Sequence, residues 1–261
     1  MNKIVFSESG QGNTVIFLHG FCESKELWKN FESHLSSDFR VISPDLPGFG
    51  ESRPMPGDNW SLEDVANSLK QWTDDQGLDK FTLIGHSLGG YIALAFAKNY
   101  PDKLDAIGLF HSSIFEDTAE KKEIRSKTVE FINNNGIEAF IDNFVPNLFY
   151  KGRHNELKKV IDHQKKVGNN TNPAAATTYM AAMRNRSGSV DFAKSFNKPA
   201  LIIAGVHDNS VPFEKSEEMA SFFSEATAHF LQETGHMGMY EREKDTLIYV
   251  GEFLKKVYHQ G

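Results

Sequence analysis

One short segment limits the folds open to this chain more than any other. The pattern Gly-x-Ser-x-Gly at residues 85–89 follows an apolar stretch and precedes a long amphipathic one. A serine at the apex of so sharp a turn takes a strained backbone conformation, and its neighbours two residues away must lack bulk. The segment therefore predicts a strand, a turn and a helix, with Ser87 presented as a nucleophile beside the first N–H groups of the helix.

Length and composition exclude several classes of protein. The chain has 261 residues, 39% of them hydrophobic, and its mean hydropathy is −0.43. We expect no membrane span and no signal peptide, because apolar runs of the required length are absent. The single cysteine, Cys22, excludes an internal disulfide and a multi-cysteine metal site. These features predict a cytoplasmic protein, and the net charge of −7 argues against nucleic-acid binding.

Apolar strands alternate with amphipathic helices along most of the chain. Continuous apolar strands are typical of a parallel sheet covered on both faces. The predicted strands are 4–8, 14–18, 40–43, 81–84, 104–110, 200–204 and 228–231. The predicted helices of this alternation are 24–35, 62–76, 88–99, 216–223 and 244–258, with Ser61 and Asp64 forming a capping box at the second.

The alternation stops after residue 112 and resumes near residue 199. Helical patterns fill the segment between, at 119–133, 137–143, 155–167 and 173–184. We therefore predict an α/β core from residues 1–112 and 199–261, with residues 113–198 inserted as a helical cap.

A serine hydroxyl needs a base, and the base needs an orienting group. His236 lies between glycines directly after a predicted strand, and Asp208 follows the apolar strand 200–204. Loops at strand ends are where catalytic groups collect in parallel sheets. We predict His236 as the base and Asp208 as its partner. The alternatives are a surface-loop histidine and a turn aspartate that binds its own backbone.

A tetrahedral intermediate also needs N–H donors for its oxyanion, each contributing about 3 kcal/mol. We predict the backbone N–H of Leu88 as one donor. The second is predicted at Phe21, in the loop after strand 14–18, where His19 has a structural role.

Together these segments resemble the α/β-hydrolase superfamily. The matching segments are His19-Gly20-Phe21, Pro44 to Ser52, Gly85 to Gly90, Gly205 to Pro212 and Gly235-His236. The resemblance implies an α/β-hydrolase fold: a mostly parallel central sheet flanked by helices, with the helical cap inserted after the sixth strand. The N-terminus is short for such proteins, so the first strand of the family's sheet is expected to be missing. Serine at the nucleophile position disfavours the dehalogenase and epoxide hydrolase branches, which use aspartate.

The resemblance also implies acyl transfer to water. Ser87 attacks a carbonyl, His236 takes its proton, and an acyl-enzyme forms and is hydrolysed, with no metal or cofactor. A carboxylic ester of a small to medium acyl group is the favoured substrate. Thioester, carbon–carbon or amide cleavage and perhydrolysis remain open, as does a non-catalytic binding protein on the same fold.

The predicted cap supplies both apolar and cationic side chains. Phe144, together with Trp28 and Met237 of the core, is predicted to line an apolar acyl pocket. The cap residues 113–198 carry a net charge of +4 and the rest of the chain −11. An anionic substrate or an acyl-carrier partner is one interpretation, and a solvated helix face is the other. The cations are Lys151, Arg153, Lys158, Lys159, Lys165 and Lys166.

Overall fold

The protein is described here by a computed structural model covering residues 4–258. Within these residues the strands form one seven-stranded sheet in the order β1-β3-β2-β4-β5-β6-β7. The strands are β1 (Phe6–Ser9), β2 (Thr14–Leu18), β3 (Arg40–Pro44), β4 (Phe81–His86), β5 (Leu104–Phe110), β6 (Ala200–Gly205) and β7 (Ala226–Leu231). All neighbours are parallel except β1, which runs antiparallel to β3.

The middle of the sheet is buried on both faces. Every residue of β2, β4 and β6 is buried, in agreement with their continuous apolar sequences. The strand order reverses between β2 and β4, so the loops that leave these two strands diverge. In open parallel sheets the crevice at such a reversal is where ligands bind. The segment after β2 and the turn after β4 therefore frame the expected site.

Helices cover both faces of the sheet. They are α1 (Lys29–Leu35), α2 (Leu62–Asp75), α3 (Leu88–Asn99), α8 (Phe213–Ala220), α9 (Gly238–Glu241) and α10 (Glu243–Tyr258). The predicted capping box is present, since the Ser61 hydroxyl accepts from the N–H of Asp64, whose carboxylate accepts from the N–H of Ser61. The short helix α9 was not predicted from the sequence.

Four further helices lie between β5 and β6: α4 (Ala119–Leu148), α5 (Lys158–Asn169), α6 (Pro173–Asn185) and α7 (Val190–Ser195). The two helices predicted at 119–133 and 137–143 are parts of α4, which kinks at Gly136 (φ 83°, ψ 168°). The insertion follows the fifth strand of this chain. The described residues contain five strands before the insertion, so it follows β5 and not a sixth strand as predicted.

The division into core and cap at residues 112/113 and 198/199 stays a prediction, and its outermost residues, 1–3 and 259–261, lie outside the described part. Among the described helices, none is both long and apolar enough to cross a membrane.

Candidate active site

Ser87 lies at the tip of the turn between β4 and α3. Its backbone has φ 48° and ψ −110°, a region that residues other than glycine rarely adopt. The Ser87 N–H donates to the carbonyl of Phe110 (2.9 Å), and the Ser87 carbonyl accepts from the hydroxyl of Ser112 (2.8 Å). The end of β5 thus holds the strained turn in place.

The glycines around the turn are required by close backbone approach. A Cβ on Gly85 would lie 2.2 Å from the carbonyl carbon of Gly89, and one on Gly89 would lie 2.6 Å from the carbonyl oxygen of Leu18. Both distances are shorter than any real Cβ contact. The Gly-x-Ser-x-Gly spacing therefore follows from the packing of β2 and β4 against the first turn of α3.

The structure brings together two of the three predicted catalytic side chains in a direct hydrogen bond. The Nδ1 atom of His236 lies 2.7 Å from Oδ2 of Asp208, and both side chains are buried. The other oxygen, Oδ1, accepts from the backbone N–H groups of Ser210 (2.7 Å) and Val211 (2.9 Å). Burial alone would raise the pKa of Asp208, but the charge of His236 and the side-chain hydrogen bonds from His111 and His236 lower it well below its usual range.

The loop carrying His236 is fastened to its surroundings through the backbone. The N–H of His236 donates to the carbonyl of Leu148 (2.6 Å), at the end of α4. The Oε1 atom of Glu241 accepts from the flanking N–H groups of Gly235 (2.9 Å) and Met237 (3.2 Å). The His236 ring is therefore presented by a loop held from both the inserted helices and the core.

The Ser87 hydroxyl makes no hydrogen bond with His236 within residues 4–258. The residue next to the serine does contact this histidine. The ring of His86 lies 4.9 Å from the ring of His236, and His86 Nε2 donates to the His236 carbonyl (2.9 Å). The bond between a nucleophile and its base is often long until substrate binds.

Two backbone N–H groups at the crevice lack partners. Phe21 and Leu88 are both buried, and in the described part of the chain neither N–H makes a hydrogen bond. Buried N–H groups without a partner are rare in proteins. These are the two groups predicted as oxyanion donors, and they lie after β2 and β4 respectively, at the point where the strand order reverses.

A buried ion pair joins the loop after β2 to the serine turn. Oε2 of Glu23 accepts from Nδ1 of His86 (2.9 Å) and from the N–H of Gly20 (2.5 Å). Both ring nitrogens of His86 face acceptors, an arrangement that only the doubly protonated imidazolium satisfies. Burial opposes the charge on each side chain, but their mutual attraction raises the pKa of His86 and lowers that of Glu23.

One cluster of side chains could in principle hold a metal ion. His111, Asp208 and His236 offer ligand atoms within 4.8 Å of one another among the described residues. Ligands of a tetrahedral zinc ion, each about 2.1 Å from the metal, stand about 3.4 Å apart. The 2.7 Å between His236 and Asp208 is a hydrogen-bond distance instead. The cluster fits a proton-bonded network better than a metal site.

A family model described as the alpha/beta hydrolase fold matches residues 13–243. The chain belongs to the α/β-hydrolase family. It is a hydrolase of this fold, and its relatives include esterases and lipases.

Three comparisons illustrate this membership. The structure resembles a malate-bound thermophilic esterase from Thermogutta terrifontis, with a TM-score of 0.93 and 30% identity, covering 98% of this chain and 94% of that one. Lipase 3 of Moraxella sp. (strain TA144) is 25% identical over 253 residues, 94% of this chain and 79% of the lipase. A putative 2-succinyl-6-hydroxy-2,4-cyclohexadiene-1-carboxylate synthase of Bacillus subtilis (strain 168) is 34% identical over 132 residues, 49% of this chain and 48% of that protein.

The predicted pocket residues separate into two groups. Phe144 lines an open groove of about 330 Å³ with Phe131, Phe140, Asn143 and Asn147. Trp28 and Met237, by contrast, have no exposed surface.

The prediction that Trp28 and Met237 line the pocket was therefore wrong. The Trp28 ring packs 4.8 Å from Phe17 of β2 and 5.5 Å from Phe110 of β5, two inner strands of the sheet, where it fills the core. Met237 is also part of the buried core, and its N–H binds Glu241. Position in the sequence near the site did not reveal which way these side chains face.

Other histidines and carboxylates at the site were not predicted. His111, Glu23 and Glu241 are buried polar residues at the carboxyl end of the sheet. The available signal was position, since His111 ends β5 and Glu23 follows β2, at the same edge as Ser87. Polar residues directly after buried strands are candidates on that ground alone.

Proposed function

We propose that this α/β-hydrolase cleaves carboxylic esters through an acyl-enzyme on Ser87. The observation that carries the proposal is the buried Asp208–His236 hydrogen bond of 2.7 Å at the same sheet edge as the strained serine. An ionised aspartate there stabilises the imidazolium that forms when the base takes a proton. The unpaired N–H groups of Phe21 and Leu88 support the same chemistry.

The proposed reaction has two halves. Ser87 Oγ attacks the ester carbonyl while His236 Nε2 takes the hydroxyl proton, and the N–H groups of Phe21 and Leu88 bind the oxyanion. His236 then gives the proton to the departing alcohol. A water molecule, deprotonated by His236, attacks the acyl-enzyme, and collapse of the second intermediate releases the acid and restores the Ser87 hydroxyl.

The acyl or alcohol part of the substrate is proposed to enter the groove lined by Phe144. The Phe21 ring lies 5.9 Å from Phe144 and 6.1 Å from Phe140, so the groove adjoins the residue proposed as an oxyanion donor. Phe140 and Phe144 stack on each other at 4.8 Å. Apolar walls with a few amide groups favour a small to medium uncharged ester.

The cationic side chains of the cap support an acyl-carrier partner less well than the apolar groove supports a small-molecule substrate. Lys158 pairs with Asp162 (2.7 Å), Lys165 with Asp142 (3.0 Å) and Arg153 with Glu156 (2.6 Å). Charges neutralised by neighbours attract a distant anion weakly. We therefore propose a small-molecule substrate.

The test is hydrolysis of p-nitrophenyl esters from acetate to decanoate by the native protein and Ser87→Ala. We expect Ser87→Ala to lower kcat/KM by at least about 10³-fold. Phe144→Ala should lower kcat/KM for the longer acyl chains by about 10-fold and barely change acetate. Phe192→Ala, on α7 and packed on Phe196, is the control outside the groove. Equal hydrolysis by the native protein and Ser87→Ala would refute the proposal.

Carbon–carbon or thioester cleavage with the same residues is the second candidate. The observation that favours it is that a relative 34% identical over half of the chain, the putative synthase from Bacillus subtilis, is not named as an ester hydrolase. A folded protein that hydrolyses no ester in the series, but is still labelled at Ser87 by an acylating reagent, would favour this candidate.

A further inference from the structure

A second buried histidine contacts the carboxylate that orients His236. His111 follows β5 and has no exposed surface. Its backbone lies in the left-handed region (φ 50°), which a residue with a side chain rarely adopts. The N–H of His111 donates to the carbonyl of Ile203 (2.7 Å), which holds the ring between β5 and β6. The ring lies 5.7 Å from that of His236.

The contacts of His111 define which nitrogen carries its proton. Nε2 lies 3.1 Å from the N–H of Gly238, a donor, so this nitrogen must accept. Nδ1 then carries the hydrogen and faces Oδ2 of Asp208 at 3.3 Å. The N–H of Gly205 also points at Nδ1 (3.2 Å), so a proton on Nδ1 sets one donor against another. A proton on Nε2 would instead create two unfavourable contacts: a donor would face the N–H of Gly238, and an acceptor would face Asp208 Oδ2. Burial lowers the pKa of His111 to about 4, against the pull of Asp208, so the ring is neutral at ordinary pH.

Asp208 Oδ2 is therefore shared by two imidazole N–H groups. His236 is the nearer at 2.7 Å, and His111 lies on the other side at 3.3 Å. With the two backbone N–H groups on Oδ1, both oxygens of the carboxylate are fully engaged. A second donor on the same oxygen fixes the carboxylate plane and draws part of its charge away from His236.

We propose that His111 is a positioning residue that holds Asp208 in its orientation toward His236 and sets the pH at which His236 acts as a base. The proposal rests on the proposed function, since it assigns a role within the same proton relay. Loss of the His111 N–H leaves a carboxylate that stabilises the His236 imidazolium more strongly. The base then requires a higher pH to lose its proton.

Other charged groups face this network from each neighbouring element. His86, at the end of β4, lies 6.1 Å from His111 and carries the charge balanced by Glu23. Glu241 of α9 binds the N–H groups on either side of His236, and burial raises its pKa despite those bonds. None of these groups makes a hydrogen bond to Asp208 Oδ2, which faces only the Nδ1 atoms of His236 and His111 among the described side chains.

Two amide substitutions separate the N–H donor from the buried ring. In His111→Asn the side-chain amide stands where Nδ1 is now and can still donate to Asp208. In His111→Gln it stands nearer to Nε2, so it reaches Gly238 and not Asp208. The pH dependence of kcat/KM for p-nitrophenyl butyrate is measured for both variants and the native protein, with thermal unfolding as the check on folding.

We expect His111→Gln to lower kcat by about 10-fold and to move the acidic limb of the profile upward by about half a pH unit. His111→Asn should keep most of the native kcat, and the acidic limb of its pH profile should stay near that of the native protein. Equal shifts in both variants, or no shift in His111→Gln, would overturn the proposal.

A second measurement does not depend on activity or on the variants. NMR of the native protein with isotope-labelled histidine reports the protonation of each ring nitrogen. From about pH 6 to 9 the proposal requires His111 to be protonated at Nδ1 alone. Protonation at Nε2 would refute it even if the protein hydrolysed esters, whereas an inactive protein with the expected tautomer would refute only the proposed function.

Discussion

At the scale of single residues, the site depends on buried charges that must be matched. Glu23 and His86 form an ion pair whose side chains are 4% and 1% exposed, so neither is compensated by water. The pair connects the Gly20 N–H, before one proposed oxyanion donor, to the carbonyl of His236. A buried pair of this kind contributes little as a whole, but removing one partner leaves an uncompensated charge.

Glu23→Gln is therefore expected to lower the free energy of unfolding by about 3 kcal/mol near pH 5.5. Because the pKa of His86 is raised on folding, the ion pair stabilises the folded state fully below pH 6.5, the ordinary pKa of histidine. This stabilisation is lost as the pH rises through the pKa that His86 has in the folded protein. Because the pKa of Glu23 is lowered on folding, its stabilisation of the folded state is present above pH 4.5, the ordinary pKa of glutamate, and is lost as the pH falls. The native protein and Glu23→Gln should therefore differ less in free energy of unfolding as the pH rises above the folded-state pKa of His86. Urea unfolding at a series of pH values measures this difference.

The control for this prediction is Glu8→Gln. Glu8 pairs with Arg40 at the surface, where both side chains are about a third exposed. Its loss should cost under about 1 kcal/mol and show no such narrowing. If Glu23→Gln behaved like Glu8→Gln, His86 and Glu23 would not be a charged pair.

Which single residues the sequence could predict depended on the distance over which each acts. Ser87, Asp208 and His236 follow predicted strands, so the local pattern was enough to propose each of them. The contact of His111 with Asp208 joins residues 97 positions apart and depends on the register of β5 and β6. No local pattern contains that register.

At the scale of elements, α4 shows how one glycine shapes the groove. Gly136 has φ 83° and ψ 168°, a conformation almost confined to glycine, and lies within what is otherwise a continuous helix. The kink was predicted from the sequence as a break between two helices. The part of α4 after the kink carries Phe140 and Phe144, whose rings contact the ring of Phe21.

Gly136→Ala should lower the free energy of unfolding by about 1–2 kcal/mol, because alanine disfavours this backbone conformation. It should also change the acyl-chain preference, since the direction of the second half of α4 depends on the kink. Gly77→Ala is the matched control: it also has a positive φ (66°) and open space for a Cβ, but it follows α2. Ester profiles of both variants and the native protein make the comparison.

A Gly136→Ala variant that kept the native acyl-chain preference would show that the kink does not position the groove. A Gly77→Ala variant with an altered preference would mean that loss of stability alone changes specificity.

Helix ends and short helices were the elements least predictable from sequence. Helix α8 begins at Phe213, directly after Pro212, whereas the prediction began at residue 216. Helices α7 and α9 have only a few residues each, too few to display a periodic pattern. They are set by the packing of the loops around β6 and β7, which is a tertiary effect.

At the scale of the whole molecule, the inserted helices and the sheet share the loop that carries His236. The end of α4 accepts the His236 N–H through Leu148, and Tyr150 donates its N–H to Glu241 Oε2 (2.8 Å). Tyr150 also stacks on His207 at 4.4 Å, beside Asp208. The site is therefore assembled from both parts of the chain, and a change in the inserted helices can reach the base without touching it.

The proposed activity requires Ser87 to be a nucleophile that His236 activates. The most direct measurement is mass spectrometry of the protein after treatment with a fluorophosphonate, followed by peptide mapping. We expect a single adduct, on Ser87, that forms at least about 10²-fold more slowly in His236→Gln. Ser112→Ala, which removes only a hydroxyl that supports the turn, should still be labelled at Ser87. An adduct on another residue, or labelling of Ser87 at the same rate without His236, would show that His236 does not activate Ser87 as a nucleophile.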